Sequence, residues 1–261
     1  MRISVLTLFP QLFSSFLETS LVGRARESGL LTVDIQDLRQ YAADRHRTVD
    51  DVPYGGGAGM VLQAPVVLAG LRALAESRRA WRVYLSPQGR PLDDSLVREL
   101  ARREDLILLC GRYEGVDERA LDLGIDEEIS IGDFVLSGGE LPAMVLIEAL
   151  SRQVPGVVAQ ADSVSEDSFR GGLLDTPHYT RPPEVEGRAV PSVLLSGHHA
   201  RIQEWREMAA LRATARKRPD LLRRPGLGAT LSRRGADWLA GWLRGERSSD
   251  EASLDEPSDR A

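Results

Sequence analysis

The chain has 261 residues, 42% of them hydrophobic and 28% charged, with a formal net charge of −6. That length carries one large domain or two smaller ones with a sizeable core, and the composition is that of a globular chain, not a disordered or fibrous one. No apolar run approaches the ~20 residues of a membrane helix, and a single cysteine, Cys110, excludes an intrachain disulfide and a thiolate metal cluster. The opening MRISVLTLFP runs straight into a strand-like segment without a small-residue cleavage site, so no signal peptide is expected and a reducing cytoplasm is the simplest address. The charge is unevenly spread. His198–Gly235 holds ten Arg/Lys against three Asp/Glu, whereas Glu246–Ala261 holds six acids against two arginines. A basic helical region is either a solvated face or the footprint of a polyanion partner.

Arg2–Phe9 is rich in β-formers and reads as a first strand. Pro10 suits the first turn of a helix over Gln11–Glu27, stopped by Gly29, and Leu31–Leu38 reads as a second strand. Tyr41–Gly59 has the periodicity of neither element. A loop that long inside a domain is functional or disordered, and its Arg45, His46, Arg47, Asp50 and Asp51 favour function. Pro65–Ala75 is a predicted helix, Val83–Leu85 a third strand, Ser86–Pro91 a turn-forming loop, and Leu92–Arg102 a helix with Asp93 and Asp94 in its first turn.

Two apolar runs follow, Leu106–Cys110 and Glu128–Ile131, each breaking into a loop of glycines and charges. A strand–helix–strand unit implies a parallel sheet, and ligands of such sheets sit beyond the carboxyl ends of the strands. The loops at Ser86, Gly111 and Gly132 should therefore gather at one edge. Their glycines, Gly111, Gly115, Gly132, Gly138 and Gly139, allow positive φ or close approach of a ligand.

Leu141–Gln153 is apolar nearly all round, so it should be buried, against the core or between subunits. Arg152 near its end suits the helix dipole. Gln160–Asp175 reads as a flexible linker, Pro177–Pro191 as a proline-rich extended segment, and Ser192–Leu195 as a short strand. His198–Arg218 is a helix with Ile202, Trp205 and Ala209 on one stripe, and Trp238, Leu239 and Trp242 mark a last helix. The expected fold is α/β: a parallel sheet with helices on both faces, followed by a small, mainly helical domain. The expected divisions are 1–159, a linker over 160–175, a basic domain over 176–245 and a disordered acidic tail over 246–261.

No phosphate-binding P-loop, dinucleotide fingerprint, zinc-protease motif or serine-hydrolase elbow is present. His46, His178, His198 and His199 lack metal-site spacing. The residues alone describe a small polar ligand on glycine loops, nearby carboxylates and arginines, and a basic helical region, which is compatible with a transferase acting on RNA.

Several blocks in order carry a resemblance. They are DRHRTVDDVPYGGGAGM (Asp44–Met60), YLSPQGRPL (Tyr84–Leu92), LCGRYEGVDER (Leu109–Arg119) and IDEEISIGDFVLSGGELPAM (Ile125–Met144). To these are added EDSF with GLLDTPHYTRP (Glu166–Pro182) and VPSVLLSGHHARI (Val190–Ile202). With these the chain, over about residues 1–245, resembles the bacterial tRNA (guanine-N1)-methyltransferase family of the knotted SPOUT class.

The resemblance implies a deep trefoil knot and S-adenosylmethionine as methyl donor. It implies donor contacts at Tyr84, Leu85, Ser86 and Pro87, at Gly111, Tyr113 and Gly115, and at Ser130, Ile131, Gly132, Asp133, Phe134, Val135, Leu136, Gly138, Gly139 and Pro142. Phe134 stands where a tyrosine is expected, so a ring is kept and a hydroxyl lost. The implied reaction places the methyl group on N1 of guanosine 37 of tRNA when guanosine 36 precedes it. The implied base is Asp167, in the EDSF segment. An ordinary aspartate, with a pKa of about 3.9, is a weak base for this, and Arg152 suits the negative charge developing on guanine O6. Glu114 is linked to a magnesium ion near the donor; otherwise it reads as a loop carboxylate paired to Arg112 or Arg119. His46, Arg47, Asp50 and Ser168 are implied tRNA contacts, and the family's site is completed by a second subunit, which implies a homodimer. A non-catalytic RNA-binding module and a knotted methyltransferase for another RNA position are the alternatives. The joint presence of Glu114, Arg152 and Asp167 speaks against the first.

Overall fold

The structure is a computed structural model that describes residues 1–76, 79–158 and 167–246. They fall into two compact units, within Met1–Ala161 and within Asp162–Ala261. The expected linker residues 160–166 and tail residues 247–261 lie outside the described residues.

The first unit runs β1 (Arg2–Thr7), α1 (Ser14–Glu18), α2 (Ser20–Glu27), β2 (Thr32–Asp37), β3 (Asp50–Asp51), β4 (Val61–Leu62), α3 (Ala64–Ala75), β5 (Trp81–Pro91), α4 (Asp94–Leu100), β6 (Asp105–Cys110), α5 (Glu118–Gly124), β7 (Glu127–Ser130) and α6 (Glu140–Ser151). Five strands form one sheet in the order β2-β1-β6-β5-β7, with every pair parallel. The fold is thus the expected α/β class, a parallel sheet flanked by helices.

The side-chain alternation of a strand builds two cores from one sheet. Ile3, Val5, Val83, Leu85, Leu106, Leu108, Cys110 and Ile129 face α1, α2, α4 and α6. Leu6, Tyr84, Ile107 and Leu109 face α3 and α5 on the other side. A strand buried on both faces must be apolar at successive positions, which is why Leu106–Cys110 carries no polar residue and is 0% exposed throughout.

Local departures from the expected elements have local causes. The helix expected over Gln11–Glu27 is broken at Thr19, which is extended, and Ser20, at φ 56°. Gly23 of α2 packs onto the end of α1, where a Cβ would lie 2.7 Å from the carbonyl carbon of Glu18. The loop expected at Ser86–Pro91 is an excursion inside β5: Ile129 of β7 lies opposite both Leu85 and Arg90. Gly89 permits it, because a Cβ there would stand 2.3 Å from the Ile129 nitrogen. The α4 helix starts at its cap, where the Asp93 carboxylate accepts the Leu96 N–H at 2.9 Å. The α5 helix was not expected; it is a seven-residue segment capped by Asp117 and too short to display a period.

The second unit contains the hairpin β8 (Glu184–Val185) and β9 (Arg188–Ala189), α7 (Ser192–Leu195), α8 (His199–Lys217) and α9 (Arg233–Leu243). The strand expected at Ser192–Leu195 is a helical turn begun by Pro191, whose fixed φ suits a helix start. Met208, Leu211, Leu222, Trp238 and Leu239 form its core. Residues 167–175 are pinned to it. Leu173 packs on that core, and Leu174 N–H donates to the buried Thr214 hydroxyl at 2.9 Å.

Candidate active site

The strands being parallel, the ends of β5, β6 and β7 open at one edge, and a cavity of about 290 Å³ lies there. Its walls are the three loops singled out by the sequence. Tyr84 and Leu85 come from β5 and Ser86 and Pro87 from its excursion, Gly111, Tyr113, Glu114 and Gly115 from the loop after β6, and Ser130 from the end of β7 with Ile131, Gly132, Phe134, Val135, Leu136, Gly138 and Gly139 from the loop that follows. Pro142, in the first turn of α6, completes it. Of the residues expected there, Asp133 stays outside the lining and points to solvent. Gln88, the last residue of the expected Tyr84–Gln88 stretch, also lines it, as do Arg112, Glu118 and Glu128, which the sequence did not single out as ligand contacts.

The glycines divide into two kinds. Gly115 and Gly132 adopt φ of 141° and 150°, which only glycine tolerates well. Gly111, Gly138 and Gly139 are needed for room. A Cβ on Gly111 would meet the Tyr84 hydroxyl at 2.7 Å, and one on Gly139 would meet the Cα of Cys110 at 2.8 Å. The loops after β6 and β7 are joined directly. Gly139 N–H donates to the Gly111 carbonyl at 3.0 Å, and Arg112 pairs with Gly138 in an isolated antiparallel bridge.

Tyr84 is 8% exposed, and burial, with Glu128 and Glu118 nearby, pushes its phenol up to about 12. The wall therefore presents a neutral hydroxyl at physiological pH. The Phe134 ring folds back over Gly132, where a Cβ would stand 2.5 Å from the ring, so packing is retained at the position expected to hold tyrosine. Ser130 Oγ donates to the Gly132 carbonyl and accepts its N–H, at 3.1 and 3.2 Å, fixing the start of that turn. Burial and the Glu140 carboxylate push the Cys110 thiol well above its ordinary value, so it is an inert core group under the floor.

Glu114 is exposed at the rim and pairs with neither arginine considered for it: Arg112 pairs with Glu140 and Arg119 with Asp117. The loop carrying His46, Arg47 and Asp50 is fastened alongside. Asp50 pairs with Leu62, and Leu62 bridges to Val116. His46 and Arg47 are exposed at a turn closed by the Asp44 carboxylate, which accepts the Thr48 N–H and is held below its ordinary pKa by hydrogen bonds from the Thr48 hydroxyl and main chain. Arg152 caps the C-terminus of α6 in the first unit. Asp167 and Ser168 belong to the second unit, where Ser168 Oγ accepts the Asp175 N–H at 2.9 Å.

In that unit Arg201, Arg206, Arg216 and Lys217 of α8 are exposed, opposite the buried stripe of Trp205, Met208 and Ala209. Among the described residues no helix is long and apolar enough to cross a membrane, and no group of three or more His, Cys, Asp or Glu side chains could hold a metal ion.

A family model described as tRNA (guanine-1)-methyltransferase TrmD matches residues 1–224. Proteins named tRNA (guanine-N(1)-)-methyltransferase are similar over most of their length. The one from Chromohalobacter salexigens is 54% identical over 85% of this chain and 86% of its own. The one from Syntrophomonas wolfei is 51% identical over 85% of this chain and 90% of its own, and that from Chloroflexus aggregans 49% over 93% and 95%. The three-loop pocket thus stands in a chain that belongs to the tRNA (guanine-1)-methyltransferase TrmD family.

Proposed function

We propose that this chain methylates N1 of guanosine 37 in tRNA, next to the anticodon and after guanosine 36, with S-adenosylmethionine as donor. The observation that carries the reading is the pocket. Three loops of a family member converge beyond the carboxyl ends of parallel strands, with main chain brought close by Gly111, Gly138 and Gly139. The walls support the donor: a small cleft with polar and apolar lining, where the neutral Tyr84 hydroxyl stands with apolar Leu85, Ile131 and Pro142. Bound there, the donor supplies an electrophilic methyl group on a positively charged sulfur.

The remaining chemistry belongs to the chain. N1 of guanine carries a proton that must leave as its bond to carbon forms, and Asp167 accepts it. Arg152 offers a planar donor fork to the guanine O6, where negative charge develops as that proton leaves. In this reading Arg152 and Asp167 act on the same base, and a second copy of the chain completes the site. Leu141 and Val145 of α6, 58% and 48% exposed, support α6 as part of that interface. The deep trefoil knot is part of the same proposal. Glu114 offers a magnesium ion one carboxylate, and a magnesium ion keeping its waters requires little more. The exposed arginines of α8 are the phosphate contacts, and the cytoplasm is the compartment.

The test is Asp167→Asn in single-turnover methylation of a guanosine-37 transcript. The expected rate loss is roughly 10²–10⁴-fold, with donor affinity unchanged. An unchanged rate would remove Asp167 as the base.

A further inference from the structure

Arg112 and Glu140 meet where three segments converge on the pocket. Glu140 opens α6 and is 1% exposed. Its Oε1 accepts the Thr7 hydroxyl from the end of β1 at 2.8 Å and the Arg112 Nε at 3.3 Å, and its Oε2 lies 3.0 Å from Arg112 Nη2. Arg112 Nη1 donates to the Ser137 carbonyl at 3.1 Å, and the guanidinium stacks 4.3 Å over the Phe9 ring. One side chain thereby ties the end of β1, the loop after β6 and the loop after β7. Gly138 is shaped around it: a Cβ there would lie 2.4 Å from Arg112 Nε and 2.6 Å from Glu140 Oε2.

A well-packed apolar pair would hold these segments together at least as firmly, since burying two charges is expensive. What the guanidinium adds is direction. Its fork fixes the Ser137 carbonyl relative to the Arg112 main chain, and those two adjoining stretches both line the cavity. Oε2, buried and within ion-pair distance of Nη2, makes no hydrogen bond in the static arrangement, so the carboxylate is not simply satisfied; it holds the guanidinium by charge.

We propose that Arg112 and Glu140 are positioning residues for the methyl-donor pocket, an assignment that rests on the reading of that pocket given above. The pair holds Ser137–Gly139 against Gly111–Arg112 at the separation at which both main chains reach the donor. Neither side chain needs to touch tRNA.

The test uses the full chain and three variants, Glu140→Gln, Arg112→Lys and the double Arg112→Gln/Glu140→Gln. S-adenosylmethionine affinity is read by calorimetry, the melting temperature by thermal denaturation, and tRNA affinity by filter binding. Glu140→Gln keeps the volume and the Thr7 bond, and should raise the donor Kd roughly tenfold, about 1.4 kcal/mol, while tRNA affinity is unchanged. Arg112→Lys keeps the charge without the fork and should fall between. The double variant carries no buried unpaired charge, so its melting temperature should return towards that of the unaltered chain while its donor Kd stays high. A merely structural pair would recover both together. A double variant that melts and binds the donor like the unaltered chain would overturn the proposal. Should Glu140→Gln fail to fold, the double variant and Arg112→Lys decide the matter alone. Failure of the unaltered chain to bind S-adenosylmethionine would instead overturn the pocket reading, and the proposal with it.

Discussion

The main-chain N–H of Glu114 donates to the carbonyl of Met60 at 3.0 Å, although the two residues lie far apart in sequence. Beside that bond, Leu62 N–H donates to the Gly115 carbonyl and Asp117 N–H to the Leu62 carbonyl, each at 3.0 Å. The long glycine loop is therefore not a floppy insertion at its far end. It is laced to the pocket rim, with Gly59 so close that a Cβ would stand 2.4 Å from a Glu114 carboxylate oxygen.

Gly59→Ala should displace Glu114 and strain a backbone held at φ 83°, at about 1–3 kcal/mol for the conformation alone. The methylation rate should fall in single-turnover assays and the melting temperature should drop by several degrees. Gly55→Ala, at φ 86° with no atom within 4 Å of the new Cβ, is the control. It carries the strain without the collision, so only Gly59→Ala should slow the reaction beyond what stability explains.

Tyr84 gives a dependence on alkaline pH. An unfolded tyrosine ionises near 10.0, whereas Tyr84 in the fold holds its proton to about 12 because it is buried beside Glu128 and Glu118. Between those values the unfolded chain carries fewer protons, so stability is full below pH 10 and falls as pH rises towards 12. The loss is on the order of 2–3 kcal/mol. Urea denaturation of Tyr84→Phe across that range should lack this part of the slope, and identical slopes for the two proteins would contradict it.

Gly139→Ala and Gly111→Ala separate two kinds of crowding. At Gly139 the new methyl meets the backbone Cα of Cys110 at 2.8 Å, and the adjoining strand is buried on both faces and cannot shift. At Gly111 it meets the tip of the Tyr84 ring at 2.7 Å, which can turn aside. Overpacking costs typically 1–3 kcal/mol. Gly139→Ala should therefore lose more stability in thermal denaturation, while Gly111→Ala should mainly weaken donor binding.

Binding of tRNA should weaken steeply with salt. If Arg201, Arg206, Arg216 and Lys217 each neutralise a phosphate, replacing two of them by alanine should reduce the log–log salt slope by roughly 1.5–2. Filter binding between low and moderate salt reads this directly. Donor affinity, seated in the other unit, should not change.

Much of this was legible in the sequence because its signals were local and repeated. Leu106–Cys110 is apolar at every position, which only a strand covered on both faces requires, and three glycine loops each follow a strand end. The three loops that line the cavity were legible as a set for that reason, with Asp133 outside the lining, because the sequence does not show which side chain of a tight turn faces away from it. The β5 excursion and the crowding at Gly89 and Gly139 were not legible, because each depends on an atom from a segment distant in the chain. Arg112 and Glu140 were missed as a pair for the same reason: 28 residues separate them, and the Thr7 hydroxyl that completes their cluster is 133 residues from Glu140.

The most direct measurement is methyl transfer from radiolabelled S-adenosylmethionine to unmodified tRNA transcripts carrying guanosine or adenosine at position 37. The expected result is label on the guanosine transcript alone, mapped to N1 and lost when guanosine 36 is replaced. Equal labelling of both transcripts, or donor binding with no transfer to either, would contradict it.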